Sequence, residues 1–114
     1  MAIMNEVVCA RIRLKPDSLK LVREWAAHLA AHREEAMHIL AAEGVVIESV
    51  FLDSVENDAD YLVYYMRAPS LRKAEEIAIK SLADIDQYHK NFKQLTWEGV
   101  SHLELLVDFD RSNS

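Results

Sequence analysis

The sequence predicts an α+β protein in which a four-stranded antiparallel sheet carries its helices on one face. A long helical stretch over residues 17–43 lies between two strand-like segments, and two more strand-like segments flank a second helical region. In this β-α-β-β-α-β order, right-handed crossovers place both helical regions on the same side of the sheet. With 114 residues, the chain is expected to form a single domain over 1–114, with an ordered core from residue 5 to 110.

The first strand is expected over residues 6–14, where apolar and mixed positions alternate. Pro16 follows this strand and ends it, because proline has no N–H for the ladder. One face of the strand carries Val8, Ala10, Ile12 and Leu14, and the other carries Val7, Cys9, Arg11 and Arg13.

The long helix is predicted from residue 17 to 43, since good helix formers dominate this stretch and nothing in it breaks a helix. Asp17 or Ser18 is expected to cap its start, and Gly44 its end. About 27 residues would reach ~40 Å, which is long for a small domain and leaves room for a bend. The apolar stripe of this helix consists of Leu19, Val22, Trp25, Ala26, Leu29, Ala36 and Leu40.

The two middle strands, at residues 45–52 and 61–66, are apolar on both faces and enclose an acidic hairpin loop. Pro69 and Ser70 are expected to open the second helical region, which restarts near Asp84 in a capping-box pattern with Gln87. The last strand is predicted over residues 100–109, with His102 and Glu104 on its polar side.

Helices on one face of the sheet would leave the other face of the middle strands exposed. The apolar residues concerned are Val45, Ile47, Phe51, Tyr61, Val63 and Tyr65. Such a patch usually marks an interface, and a second copy of the same sheet covers it by two-fold symmetry. The sequence therefore predicts a homodimer formed through this sheet face.

The composition of the chain limits the partners that it is expected to bind and the compartment in which it is expected. A formal net charge of −6 and a pI of about 5.3 argue against a nucleic-acid partner. The single cysteine, Cys9, provides neither an internal disulfide nor a metal-binding spacing. There is no signal-peptide pattern and no apolar run long enough to span a bilayer, so a cytoplasmic protein with no membrane partner is expected.

With these elements and the segment Asp86-Gln87-Tyr88-His89-Lys90-Asn91-Phe92, the chain resembles the dimeric α/β-barrel superfamily. In that superfamily two ferredoxin-like protomers pack sheet against sheet. It includes antibiotic-biosynthesis-type monooxygenases, stress-responsive A/B-barrel proteins, polyketide cyclases and bacterial families without an assigned activity, with which this chain is best grouped. The resemblance implies a ferredoxin-like fold and a protein that uses no cofactor and no metal. It also implies a small aromatic or polyketide-like ligand, bound or transformed as by a cofactor-independent monooxygenase or a cyclase.

The first candidate site is a group of charged residues on the sheet. Arg11 and Arg13 are expected to share a face with His102 and Glu104 of the last strand, inside the barrel of the dimer. An arginine there could grip a carboxylate or phenolate, and His102 could move a proton. Tyr65 completes the candidate substrate-binding set of Arg11, Arg13 and Glu104. The alternative is an ion-pair network between subunits, in a dimeric structural or interaction protein without catalysis.

Two further candidates lie on helices. In the cyclases that the chain resembles, a tyrosine and a histidine near Tyr88 and His89 act on the substrate, whereas a structural interpretation gives Tyr88 a packing role and leaves His89 solvated. His28, His32 and Glu35 lie about one helical turn apart, a spacing able to hold a metal. The edge of an amphipathic helix explains both histidines equally well, so no metal site is assigned. Whether the protein is an enzyme stays open at this point.

Overall fold

A computed structural model of the chain describes residues 4–111. Its single antiparallel sheet has the strand order β2-β3-β1-β4, and the helices cover one face. This arrangement confirms the predicted α+β, ferredoxin-like βαββαβ fold, with each helical region divided in two. In chain order the elements are β1 (Glu6–Leu14), α1 (Leu19–Ala31), α2 (Arg33–Glu43), β2 (Ile47–Ser54), β3 (Asp60–Ala68), α3 (Leu71–Lys80), α4 (Asp84–Thr96) and β4 (Trp97–His102).

The predicted long helix breaks at His32, which leaves helical geometry with φ −113° and ψ 36°. The backbone N–H of His32 donates to the carbonyl of His28 over 3.0 Å, and its ring Nδ1–H donates to the same oxygen over 2.8 Å. The second helix ends as expected at Gly44, whose φ of 77° is a left-handed conformation that glycine adopts at little cost. No helix within residues 4–111 is long and apolar enough to cross a membrane.

The core lies between the helices and the sheet. Its main cluster comprises Ile12, Leu14, Val22, Trp25, Leu62, Tyr64 and Phe92. Val22 and Trp25 belong to the apolar stripe predicted for the long helix, and they pack on alternate residues of β1 and β3, as the period of two in a strand requires. A second, smaller core cluster consists of Val45, Ala68 and Ala74. Val45 is thus a core residue and not part of the exposed sheet face.

The last strand is shorter than predicted. It ends at His102, and only the backbone N–H of Leu103 extends the ladder, by donating to Cys9 O over 2.9 Å. Beyond that point two aspartates bind the guanidinium of Arg67 on β3. One NH1 hydrogen bond reaches Asp108 over 3.1 Å and another reaches Asp110 over 3.3 Å, and NH2 donates to Asp108 as well. These ion pairs bring Asp108 and Asp110 next to β3.

A β-bulge sets the register of the last strand. Leu14 lies opposite Trp97 while Arg13 lies opposite Gly99, so Glu98 is an extra residue on β4. The bulge reverses which side chains of β4 face the helices. Ser101 therefore lies opposite Arg11, and His102 lies opposite Ala10 on the helix-covered face. The prediction that His102 shares a face with Arg11 and Arg13 is therefore wrong, because this register turns His102 to the helix-covered face.

The face of the sheet without helices, called the open face below, is polar at one end, whereas at its other end Arg67 lies between Ile47 and Val7. Asp53, Tyr61, Arg13 and Gly99 form a row across the four strands at the polar end. Phe51, Val63, Arg11 and Ser101 form the next row. Phe51 is 61% exposed and Ile47 is 41% exposed, so part of the predicted apolar patch is uncovered in the single chain.

Candidate functional site

Aromatic rings meet where α1 and α4 lie on the sheet. Trp25 of α1 stacks on Phe92 of α4 with ring centroids 4.5 Å apart and planes inclined by 5°. Tyr64 of β3 meets the edge of Trp97 at 5.4 Å, and the His89 ring lies 6.3 Å from that of Tyr64. We call these five residues, Trp25, Tyr64, His89, Phe92 and Trp97, the helix-side cluster.

The contact between Trp25 and His89 determines which ring nitrogen of the neutral histidine carries the proton. Trp25 Nε1–H donates to His89 Nδ1 over 3.1 Å. An indole nitrogen can only donate, so Nδ1 is the acceptor and the neutral ring carries its proton on Nε2. Burial, reinforced by the positive charge of Lys93, lowers the pKa of His89 to about 4. No residue within 4–111 hydrogen-bonds to Nε2, so this N–H is a donor available to a ligand.

The lowered pKa of His89 predicts a loss of stability in mild acid. The unfolded chain takes up a proton near pH 6.5, whereas the folded protein takes it up only near pH 4. As the pH falls across this range, the free energy of unfolding should therefore drop by up to about 3 kcal/mol. The measurement is urea unfolding at several pH values for the wild type and His89→Gln, which keeps an acceptor for Trp25.

The difference between wild type and His89→Gln isolates this titration from that of the carboxyl groups. His38→Gln, on an exposed position of α2, is the matched control and should retain the wild-type acid dependence. An unchanged dependence in His89→Gln would contradict the assignment of a neutral, buried imidazole.

Three buried polar atoms, two of them in the helix-side cluster and one beside it, have no hydrogen-bond partner within the described chain. They are Tyr64 Oη, Trp97 Nε1 and Asp86 Oδ2. Leaving such an atom unsatisfied costs about 1–3 kcal/mol, and buried polar groups of native proteins are nearly always satisfied. A water molecule or a polar group of a ligand is therefore expected at this place.

Charged residues surround the unsatisfied atoms. Glu48 points from β2 toward the helix-covered face, since it lies opposite Met66. Glu48 is an exposed residue, but neighbouring protein desolvates its carboxyl group and raises its pKa. The positive charge of Lys93 opposes this increase in pKa, and the negative charge of Asp86 adds to it. Desolvation, followed by the charges of Asp86 and Glu48, raises the pKa of Glu43 to about 7. The Lys93 ammonium lies 5.0 Å from the centre of the Trp97 ring. The site thus combines two carboxyl groups of raised pKa with hydrogen-bond donors and one cation.

The helical candidates of the sequence are separated by the structure. His89 lies in the helix-side cluster, whereas Tyr88 stacks on His28 with ring centroids 3.9 Å apart. His28 in turn stacks on His32 at 4.2 Å. Within residues 4–111 no group of three or more His, Cys, Asp or Glu side chains could hold a metal ion, and this includes the set of His28, His32 and Glu35.

The sheet candidates are also divided. Arg11 and Arg13 lie together at the polar end of the open face. Tyr65 lies farther along that face, where its hydroxyl accepts a hydrogen bond from Arg67 Nε. His102 is on the other face, and Glu104 lies beyond the end of β4. The structure therefore does not bring His102 and Glu104 together with the two arginines.

Several residues of the site were not candidates on sequence grounds. Glu48 is the one charged residue in the otherwise apolar stretch 45–52, and it shares the parity of Val50, which contacts the core. That pattern is the signal that could have identified it. Asp86 and Lys93 lie three residues before and four residues after His89, so one face of α4 carries all three. Tyr64 and Trp97 carry no distinguishing local pattern.

Solved structures similar to this chain share its fold. A putative antibiotic biosynthesis monooxygenase from Bacteroides thetaiotaomicron has a TM-score of 0.61 at 13% identity, covering 94% of this chain and 92% of that one. A dimeric protein of unknown function and ferredoxin-like fold from Bacteroides fragilis has a TM-score of 0.53 at 12% identity, with coverages of 87% and 92%. Rv0793 from Mycobacterium tuberculosis has a TM-score of 0.56 at 17% identity, with coverages of 94% and 100%.

The structural similarity shows a common fold, but at identities this low it does not indicate a shared activity. No curated protein matches the sequence. The family is nevertheless defined, because one family model matches residues 5–114. The chain belongs to the family of unknown function DUF6176.

Proposed function

We propose that the helix-side cluster binds a small aromatic or polyketide-like molecule that bears a phenol or an enolisable carbonyl, and that the protein transforms it without a cofactor. The observation that carries this proposal is the set of unsatisfied polar atoms around a neutral histidine. Tyr64 Oη, Trp97 Nε1 and the Nε2–H of His89 are hydrogen-bond donors with no partner within residues 4–111. His89 and Trp97 are the half-buried rings of the cluster, and an aromatic ligand would stack there.

The chemistry suited to this set of groups is proton abstraction. A carboxylate of raised pKa, Glu48 or Glu43, takes a proton from a phenol O–H or from a C–H beside a carbonyl. The electron pair stays on the substrate as a phenolate or enolate. The neutral His89 Nε2–H and the Tyr64 hydroxyl then donate to the anionic oxygen, and Lys93 offsets its charge. The pKa of Tyr64, raised by burial, keeps this hydroxyl protonated as a donor.

Such an anion is the common first intermediate of two reactions. An enolate carbon can attack a carbonyl within the same molecule and close a ring, or the anion can react with O2 in an oxygenation. The second reaction agrees with the description of similar structures as antibiotic biosynthesis monooxygenases. In this proposal His89 is a hydrogen-bond donor, because the Trp25 N–H occupies the nitrogen that would act as a base.

The test is isothermal titration calorimetry with 1-naphthol, which joins a phenol to a second aromatic ring. The wild type should bind it, and Tyr64→Phe should weaken the affinity about tenfold, since one buried hydrogen bond is lost. Tyr61→Phe makes the same change on the open face and should leave the affinity unaltered. Equal affinities of wild type and Tyr64→Phe, or no binding at millimolar concentration, would contradict the proposal and favour a structural protein without chemistry.

We also infer that the protein is a homodimer formed through the open face. Phe51 and Ile47 are exposed there, and Val63 lies between Phe51 and Arg11. In the segment after β4, Leu105, Val107 and Phe109 are 59–91% exposed. Apolar area of this extent is uncommon on a monomer. The similar structures described as dimeric agree with this assembly.

A further inference from the structure

A groove of about 310 Å³ lies at the polar end of the open face. Its lining consists of Arg11, Arg13, Tyr61, Gly99, Val100 and Ser101. The sheet separates this groove from the helix-side cluster, because Arg11 and Arg13 alternate along β1 with the core residues Ile12 and Leu14. The groove is therefore separate from the helix-side cluster, and it lies on the same open face as the proposed dimer contact.

The residues of β4 account for the space in the groove. Gly99 lies opposite Arg13 and Ser101 lies opposite Arg11, so each long arginine side chain has a small residue opposite it. A Cβ atom added to Gly99 would meet nothing within 4 Å. The β-bulge at Glu98 produces this register, and bulges commonly re-aim side chains beside functional sites.

The arginine side chains use few of their donors within the described chain. Arg11 NH2 lies 3.5 Å from Asp53 Oδ2, and its guanidinium is 3.5 Å from the centre of the Tyr61 ring. Arg13 NH1 lies 3.4 Å from Tyr61 Oη, and Arg13 Nε lies 3.5 Å from Glu98 Oε2. These contacts are at the long end of the hydrogen-bonding range, and each guanidinium has five N–H groups. Two adjacent cations thus retain free donors beside an open groove.

We propose that this groove binds the oxyanion of a small molecule, a carboxylate or a phosphate, between Arg11 and Arg13. The planar fork of a guanidinium matches both anions, which can accept two parallel hydrogen bonds from it. Tyr61 orients the fork of Arg11 by stacking against it, and Ser101 adds a hydroxyl to the lining. Asp53 and Glu98 restrict the number of negative charges that the groove accepts. A volume at the low end of the range for ligand pockets fits a molecule the size of benzoate.

The probes are benzoate, phenyl phosphate and inorganic phosphate, titrated into ¹⁵N-labelled protein. The chain has only two glycines, so the amide signal of Gly99 reports on the groove and that of Gly44 is an internal reference. A saturable shift of Gly99 without a shift of Gly44 is expected. Saturation by benzoate identifies a carboxylate site, and saturation by the two phosphates alone identifies a phosphate site; both results support the proposal.

Variants test the role of the arginines. Arg11→Gln and Arg13→Gln should each weaken binding about tenfold or more, because charge-assisted hydrogen bonds are lost. Arg72→Gln removes an exposed positive charge from α3 and should bind as the wild type does. Gly99→Val should fill the groove and abolish binding while leaving the far-ultraviolet circular dichroism unchanged, since valine favours strands and space is free.

Two results would overturn the proposal. One is the absence of saturation with all three probes. The other is an affinity in Arg11→Gln and Arg13→Gln equal to that in Arg72→Gln. Tyr64→Phe, which disables the helix-side cluster, should leave the Gly99 titration unchanged, so a failure of either site can be told from a failure of the other.

Discussion

Replacing Trp25 by alanine is expected to remove about 3–5 kcal/mol from the free energy of unfolding. Trp25 is 5% exposed and stacks on Phe92 at 4.5 Å, and its indole N–H holds His89. The truncation leaves a cavity between α1, α4 and the sheet and also frees His89 Nδ1 in a buried place. A domain of this length has a total stability of roughly 6–17 kcal/mol, so the loss is a large fraction of it. Urea unfolding followed by circular dichroism measures it.

Trp25→Phe separates packing from hydrogen bonding. It keeps an aromatic ring against Phe92 while removing the donor to His89 and part of the ring volume, so it should cost less than the alanine variant, about 1–3 kcal/mol. Leu21→Ala on the same helix removes a side chain that is 38% exposed and should cost still less. A loss below about 1 kcal/mol for Trp25→Ala would mean that the helix-side cluster does not anchor α1 to α4.

Phe51→Asp is expected to abolish self-association at micromolar concentration. Phe51 is 61% exposed in the single chain and lies next to Val63 on the open face. A carboxylate buried there without a partner costs several kcal/mol, enough to dissociate a dimer of moderate affinity. Analytical ultracentrifugation of wild type and variant measures the change.

Val55→Asp is the matched control for Phe51→Asp. Val55 is 47% exposed in the turn between β2 and β3, outside the strand rows of the open face. It should sediment as the wild type does. A wild type that is well folded and monomeric at micromolar concentration would refute the dimer, and a dimer that persists in Phe51→Asp would place its interface elsewhere.

Local patterns of the sequence were sufficient for the fold. Alternation along residues 6–14 and the helical stripe through Val22 and Trp25 depend only on short-range periodicity, and both recur in the structure. The alternation continues to Phe109, whereas β4 ends at His102 and the following segment places Asp108 and Asp110 on Arg67, 41 and 43 positions away in the chain. No alternation pattern reports such a long-range contact.

The candidate site was less predictable for a similar reason. His89 was found through a resemblance, but its hydrogen bond to Trp25 joins residues 64 positions apart. An uninterrupted ladder between β1 and β4 would place His102 on the same face as Arg11. A single bulged residue, Glu98, turns His102 to the other face. The register of a strand is fixed by its tertiary partners, and an extra residue exchanges its two faces.

The most direct test of a ligand site in the helix-side cluster is the indole region of the ¹H–¹⁵N spectrum during titration with 1-naphthol. The chain has two tryptophans, and both indole N–H groups belong to this cluster. The account predicts a saturable shift of the Trp97 signal, because its unpartnered N–H gains an acceptor, with a smaller change at Trp25, whose N–H already has one. Saturation that moves the Gly99 amide on the open face while both indole signals stay in place would contradict it.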